Sequence, residues 1–177
     1  MSEPASPAEQ TLKTPSGEET LEVPTESEVG QFVTIKRVFD APRERVYRAF
    51  IEPADLERWF GPSGMTVPPG TVTVDLRVGG LFHLLMSQTD DPVHVTSLDL
   101  AFEQIVENER LVEGDAWYNH ETGQVIHTQL ELIFADAAHD RTTVRLTQGP
   151  YSDVMVTAAE AAWSDSLDKL DRHLRDT

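Results

Sequence analysis

The chain has 177 residues, with 31 Asp and Glu against 14 Lys and Arg, so its formal net charge is −17 at pH 7. This length predicts one domain with a substantial buried core, and the negative charge disfavours nucleic acid and anionic membrane surfaces as partners. The sequence contains no cysteine, which excludes disulfides and thiolate metal sites. It shows neither a signal-peptide pattern nor an apolar run long enough for a bilayer, so we expect a cytoplasmic protein without a membrane span.

The N-terminal segment differs from the rest of the chain in composition. Residues 1–30 are rich in Pro, Ser, Thr and Glu and hold almost no large apolar side chains. Burial in such a segment cannot offset the entropy lost on ordering. We therefore expect a disordered acidic tail over residues 1–30 and a folded domain over residues 31–177.

One strand and two short helices are predicted at the start of this domain. Residues 32–39 are rich in β-branched and aromatic side chains, as is typical of a strand. Pro42 can begin a helix over residues 42–51. Pro53 ends that helix and precedes a second one over residues 54–59.

Six further segments predict strands. The first covers residues 65–76 and contains Pro-Pro-Gly at 68–70, which interrupts backbone pairing because proline lacks an amide donor. Gly79 and Gly80 then supply the backbone freedom of a hairpin turn. The remaining five segments are residues 81–87, 93–106, 110–118, 125–134 and 142–148.

Residues 152–175 predict a long amphipathic helix, which Ser152 or Asp153 can cap. Its apolar residues recur at steps of three and four, so they share one stripe of the helix: Val156, Ala159, Trp163, Leu167, Leu170 and Leu174. A helix of this kind must bury its stripe against the sheet that precedes it. The order of elements therefore predicts an α+β fold, with a curved antiparallel sheet wrapped around the C-terminal helix.

Several motifs, in the same order along the chain, resemble the AHSA-type members of the SRPBCC superfamily, homologues of the activator of the heat-shock protein 90 ATPase. The motifs are Arg-Val-Phe-Asp-Ala-Pro at 37–42, Trp-Phe-Gly-Pro at 59–62, the strand–turn–strand segment 74–82, the strand segment 143–148 and the pattern of the final helix. The similarity runs from about residue 31 to residue 175. It implies the helix-grip fold of START and birch-pollen-allergen proteins, with two short helices after the first strand.

The middle of the chain departs from this family pattern. Family members carry a Gly in the fourth strand and a Pro before the fifth, and residues 98–105 and 107–111 have neither. Because these strands line the cavity of the helix-grip fold, the ligand preference of a relative does not transfer to this chain.

Aromatic and thioether side chains that are distant in sequence can meet on one face of the sheet, where they form either an ordinary core or an apolar pocket. The small residues around the tryptophan of the last helix, at 158, 159, 161 and 162, leave the same two alternatives of ligand space or close packing. We take seven residues as candidates to contact a ligand: Trp59, Phe82, Met86, Trp117, Tyr118, His127 and Trp163.

Signals of catalysis or metal binding are weak. The six histidines show no HExxH spacing, and the chain has neither a GxSxG segment nor a phosphate-binding loop. His83, His94 and His127 fall in predicted strands, where they could face a cavity, and Arg37 and Arg77 are expected to form structural ion pairs. We predict no metal and no cofactor, and we name no catalytic residue.

Three functions fit these observations. We favour binding of a small hydrophobic ligand between the sheet and the C-terminal helix, in a protein linked to stress or to a metabolite. The family resemblance implies a second, an interaction module that stimulates a chaperone ATPase. The third is a cyclase or hydrolase acting on polyketide-like substrates, as in some helix-grip relatives. Either a monomer or a homodimer is compatible with the sequence.

Overall fold

The computed structural model describes residues 30–119 and 124–176, except for the side chains of residues 116–119 and 124–126. The predicted tail, apart from Gly30, lies outside these ranges. Along the chain the elements are β1 (Gln31–Phe39), α1 (Arg43–Ala49), α2 (Pro53–Trp59), β2 (Met65–Thr66), β3 (Thr73–Val74), β4 (Leu81–Gln88), β5 (Val95–Val106), β6 (Arg110–Asn119), β7 (Gln124–Ala137), β8 (Arg141–Tyr151) and α3 (Asp153–Arg175).

All the strands belong to one sheet. Its order is β1-β8-β7-β6-β5-β4-β2, and β3 pairs with β4 as well. Every pairing is antiparallel. The long helix α3 packs on β1 and α2 and approaches β8. This is the predicted helix-grip arrangement, and the prediction of an α+β fold is confirmed.

Proline accounts for the main differences from the predicted elements. The single strand expected over residues 65–76 is two strands of two residues each, because the Pro-Pro-Gly segment between them cannot join the ladder. Met65 pairs with Gln88, whereas Thr73 pairs with His83. Pro42 is the residue before α1 rather than its first residue.

The core lies between the inner face of the sheet and the three helices. Large side chains that are almost completely buried come from every layer, including Phe39, Trp59, Leu84, Phe102, Leu132, Leu146 and Leu170. The predicted stripe of α3 faces this core, with Trp163, Leu167, Leu170 and Leu174 buried and Val156 and Ala159 packed against it. The periodicity of the sequence therefore located the buried face of α3.

Both predicted arginine ion pairs are present. Arg37 on β1 binds Asp168 on α3, which connects the first strand to the last helix. The Arg77 Nε lies 2.8 Å from Asp75 Oδ2 at the turn before β4. Because these groups are exposed to solvent, each pair is worth at most about 1 kcal/mol.

Candidate ligand-binding site

A row of four side chains crosses the inner face of the sheet from β8 to β5. The strand register pairs Gln148 with Leu130, Leu130 with Glu113, and Glu113 with Phe102. Directly paired residues of neighbouring strands project to the same face, so these side chains lie next to one another at intervals of about 5 Å. Leu130 and Phe102 are 4% and 1% exposed, which places the row in the interior.

Aromatic contacts close this row into a ring. Trp163 of α3 donates its indole N–H to Gln148 Oε1 at 2.5 Å. On the other side, ring centroids are separated by 5.8 Å from Trp163 to Phe60, by 6.2 Å from Phe60 to Phe82, and by 6.2 Å from Phe82 to Phe102. We call this closed set of contacts the inner ring: Trp163, Gln148, Leu130, Glu113, Phe102, Phe82 and Phe60.

Glu113 is the ionisable member of the inner ring, and it is only 3% exposed. Among the described residues, no side chain or backbone group gives it a hydrogen bond or an ion pair. Burial raises the pKa of Glu113 to about 8, because removal from water penalises the charged form. At neutral pH the carboxyl group is therefore mostly protonated, and it can donate a hydrogen bond or a proton.

An unpartnered acid in this position needs a physical explanation. Buried polar groups in folded proteins almost always have a hydrogen-bond partner, and leaving one unsatisfied costs about 1–3 kcal/mol. Titratable groups with strongly shifted pKa values concentrate at functional sites. Within the inner ring, Glu113 is therefore the residue most suited to meet a bound molecule; outside the ring, the buried hydroxyl of Tyr47 also has no hydrogen-bond partner among the described residues.

The first half of α3 covers the inner ring with small side chains. Val154 and Met155 are 87% and 54% exposed, and Ala158 is exposed as well. Within this half, residues 153–163, only Val156 and Ala159 pack against the core ahead of the buried Trp163 at its end. The Ser152 side chain forms no capping hydrogen bond with the start of the helix. This end of α3 is thus held by few apolar contacts.

Some of the candidate residues predicted from the sequence belong to the inner ring, and others lie beside it. Phe82 and Trp163 are members of the inner ring, and half-buried Met86 packs against the core. Trp59 is completely buried behind the ring, where it packs on Phe60 with ring centroids 5.3 Å apart and its indole N–H donates to Ala49 O at 2.9 Å. The side chains of Trp117 and Tyr118 lie outside the described part of the structure.

The three strand histidines lie outside the interior. His127 is exposed. It lies three residues before Leu130 on β7, and because strand residues alternate between the two faces of a sheet, it is on the face opposite to Leu130. His83 faces outward on β4, with its Nδ1 2.7 Å from Asp99 Oδ1. His94 lies in the turn before β5 rather than in a strand. The expectation that His127 contacts an interior ligand is therefore not supported by its position.

Glu113 and Gln148 were not among the residues predicted from the sequence. A signal for Glu113 was available, because strict alternation in β6 puts it on the same face as Leu111, which is buried. An acid at an inward position of a strand is an exception to the usual pattern. Gln148 was hidden because its role depends on contact with Trp163, which lies on a different element.

Two further properties concern only the described residues. No group of three or more His, Asp or Glu side chains among them is arranged to hold a metal ion. None of the helices in this part of the chain has both the length and the apolar character required to cross a membrane.

Solved structures of bacterial proteins share this fold. A protein of Chromobacterium violaceum matches with a TM-score of 0.69 at 23% identity, over 81% of this chain and 96% of that one. The AHSA1 protein of Silicibacter pomeroyi gives 0.68 at 18% identity, over 82% and 98% of the two chains. A protein of Nitrosomonas europaea gives 0.68 at 19% identity, over 82% and 94%. At these identities the likeness establishes the fold alone.

A protein-family model matches the sequence, although no individual curated sequence does. Curated protein sequences gave no significant match. The model of the family described as "Activator of Hsp90 ATPase homolog 1-like protein" matches residues 40–175, which is most of the chain. This match supports a domain that binds a ligand or resembles an ATPase activator. The chain belongs to the family of activator of Hsp90 ATPase homolog 1-like proteins, within the SRPBCC superfamily.

Proposed function

We propose that this protein binds a small, largely apolar molecule between the sheet and the first half of α3, within the inner ring. The observation that carries the proposal is the buried carboxyl group of Glu113, which has no partner among the described residues. In this proposal the ligand supplies the missing hydrogen-bond partner.

The walls of the inner ring favour an apolar ligand. Four of its members are aromatic and a fifth is leucine, and all five are at most 9% exposed. Ligand sites are typically lined by apolar and aromatic side chains together with a few polar groups that fix orientation. Half-buried Met86, which packs against the core, would extend these walls. The proposed molecule therefore buries most of its surface against Phe60, Phe82, Phe102, Leu130 and Trp163.

The polar group of the ligand is constrained by the protonation of Glu113. A protonated carboxyl group donates one hydrogen bond and retains acceptor capacity. A carbonyl or hydroxyl oxygen is its natural complement, and the new bond would recover the free energy that desolvation of Glu113 costs. We therefore expect an apolar molecule with a carbonyl or hydroxyl oxygen close to one end.

Entry is most favourable beneath the first half of α3. Ala159 faces the core there, whereas its neighbour Ala158 faces solvent. Displacing the part of this half that precedes Trp163 exposes little apolar surface, because its inward side chains are small. The leucines of the second half hold the helix in place during such a displacement.

The test is thermal unfolding of the full chain with a panel of fatty acids, sterols and aromatic polyketides. A ligand present at a hundred times its dissociation constant should stabilise the protein by about 2.7 kcal/mol. The matched variants are Ala159→Leu, which fills the proposed space, and Ala158→Leu, which adds the same volume on the solvent side. The stabilisation should be lost in Ala159→Leu and retained in Ala158→Leu.

Two results would contradict the proposal. One is equal stabilisation of both alanine variants, which would place the ligand elsewhere. The other is a flat response to the whole panel together with capture of a chaperone ATPase by the purified protein. That outcome would favour the interaction module that the family name implies. For any molecule that does bind, Glu113→Leu should weaken binding, because leucine offers the ligand neither a donor nor an acceptor. Glu113→Gln should retain most of the affinity, because an amide, like a protonated carboxyl group, can donate a hydrogen bond to a carbonyl or hydroxyl oxygen.

A further inference from the structure

A second concave surface lies at the other end of α3. It is a depression of about 870 Å³ between α2, residues 61–66 and the last two turns of α3. The proposed interior site is beneath the first half of α3, whereas this depression is lined by residues from Lys169 onward in that helix. The two surfaces therefore share no residue of α3.

Three cations line this depression without a carboxylate partner. Arg58, Lys169 and Arg172 form no ion pair with any described residue. Asp55 also lines it, but both of its oxygens are engaged. The guanidinium of Arg45 contacts them at 3.0 and 3.1 Å, and His173 Nε2 lies 2.6 Å from Oδ1. Asp176 is the other acid of the lining.

Unpaired cations at one place are unexpected in so acidic a chain. Acids outnumber bases by 31 to 14, and most of the described arginines are paired with a carboxylate: Arg37, Arg43, Arg45, Arg77, Arg110, Arg145 and Arg175. The convergence of Arg58, Lys169 and Arg172 on one depression therefore departs from the pattern of the molecule. A bound anion would provide the negative charge that no described carboxylate provides to these three cations.

The position of Lys169 strengthens this argument. Its ammonium group donates to Gly61 O at 2.8 Å and to Met65 O at 3.1 Å, so it is fixed at the wall of the depression. Burial, followed by the positive charge of Arg172, lowers the pKa of Lys169, and the opposing effect of Asp165 is smaller. An anion placed between Lys169 and Arg172 would relieve their repulsion.

The chemistry of the lining points to a phosphate group. Guanidinium groups match phosphate oxygens with two parallel N–H donors, and a lysine ammonium adds a point charge. The hydroxyl groups of Ser63, Thr66 and Thr89 offer neutral donors around the same depression. We propose that this depression binds the phosphate group of a small phosphorylated molecule through Arg58, Lys169 and Arg172.

The experiment is calorimetric titration of the full chain with inorganic pyrophosphate in a phosphate-free buffer of low ionic strength. Saturable binding is expected with one site per chain. Arg58→Gln and Arg172→Gln should each lower the association constant about tenfold, since each removes a charge-assisted hydrogen bond. Arg141→Gln is the matched control, because Arg141 is exposed, lacks a carboxylate partner among the described residues and is the first residue of β8.

Each possible result decides the proposal. Absence of saturable heat with pyrophosphate would overturn it, as would an equal loss of affinity in Arg141→Gln, which would indicate diffuse attraction to the whole surface. Succinate tests the anion class, since equal affinity for this dicarboxylate would overturn the assignment to phosphate. Circular dichroism of the three variants verifies that their folds are unchanged.

Discussion

The two halves of α3 contact the rest of the molecule in different ways. In the second half, Leu167, Leu170 and Leu174 are 1%, 0% and 8% exposed. In the first half, Val154 and Met155 are largely exposed, and the inward positions before Trp163 are occupied by small or β-branched side chains. One continuous helix therefore combines a tightly packed segment with a loosely packed one.

Polar contacts follow the same division. His173 binds Asp55 of α2 at 2.6 Å, and Lys169 binds two backbone carbonyls of residues 61–66. The first half contributes one side-chain contact to the sheet at its boundary with the second, the hydrogen bond from Trp163 to Gln148. The second half fixes the helix to the domain, which leaves the first half free to serve as the cover of a binding site.

The largest expected effect tests this division by stability. Leu170→Ala should lower the free energy of unfolding by about 2–5 kcal/mol, because it removes a fully buried side chain and leaves a cavity. Met155→Ala, on the exposed side of the first half, should change it by at most about 0.5 kcal/mol. Urea unfolding of both variants measures the difference. Similar losses in the two variants would show that the halves are packed alike.

The second prediction concerns the pH dependence of stability. Burial raises the pKa of Glu113 from an ordinary value of 4.5 to about 8. Between these values the native protein holds a proton that the unfolded chain has released. The free energy of unfolding should therefore fall by up to about 1.4 kcal/mol per pH unit as the pH rises from about 4.5 to about 8.

The variant Glu113→Gln isolates this contribution, because its amide does not titrate in that range. Urea unfolding of both proteins between pH 5 and pH 9 should give curves that converge or cross rather than run parallel. The native chain should lose stability relative to the variant as the pH rises. Parallel curves would mean that Glu113 is charged and paired at neutral pH, which would remove the basis of the proposed ligand contact.

The smallest expected effect lies at the boundary between the two halves of α3. Trp163→Phe retains an aromatic ring but removes the indole N–H that binds Gln148. The loss should be about 1 kcal/mol, the usual net value of one hydrogen bond. A double-mutant cycle with Gln148→Leu measures the coupling of the two side chains. A coupling energy near zero would show that this hydrogen bond does not close the inner ring.

Much of the fold could be predicted from periodicity. Alternation in the strands and the steps of three and four in α3 report which side chains face a common core, because secondary structure repeats at fixed intervals. The positions of Phe82 and Trp163 in the interior follow from that pattern. The place of Glu113 on the same face as Leu111 could have been read in the same way.

The neighbours of Glu113 could not be predicted, because they depend on strand register. The pairing of β5 with β6 shifts between Phe102 and Gln104, so a bulge determines which residue lies beside Glu113. No local property of the sequence predicts the position of such a bulge. His127 is a different case, because alternation in β7 already puts this candidate ligand contact on the face opposite to Leu130, where it is exposed.

The sequence by itself determined the helix-grip architecture, the buried stripe of α3 and the family, because each depends on local periodicity or on ordered motifs. Only the tertiary structure decided that Glu113 is buried between Leu130 and Phe102 and that Arg58, Lys169 and Arg172 line one depression. Both arrangements join residues far apart in the chain, and their energies arise from desolvation and charge proximity. These quantities have no value until the chain has folded.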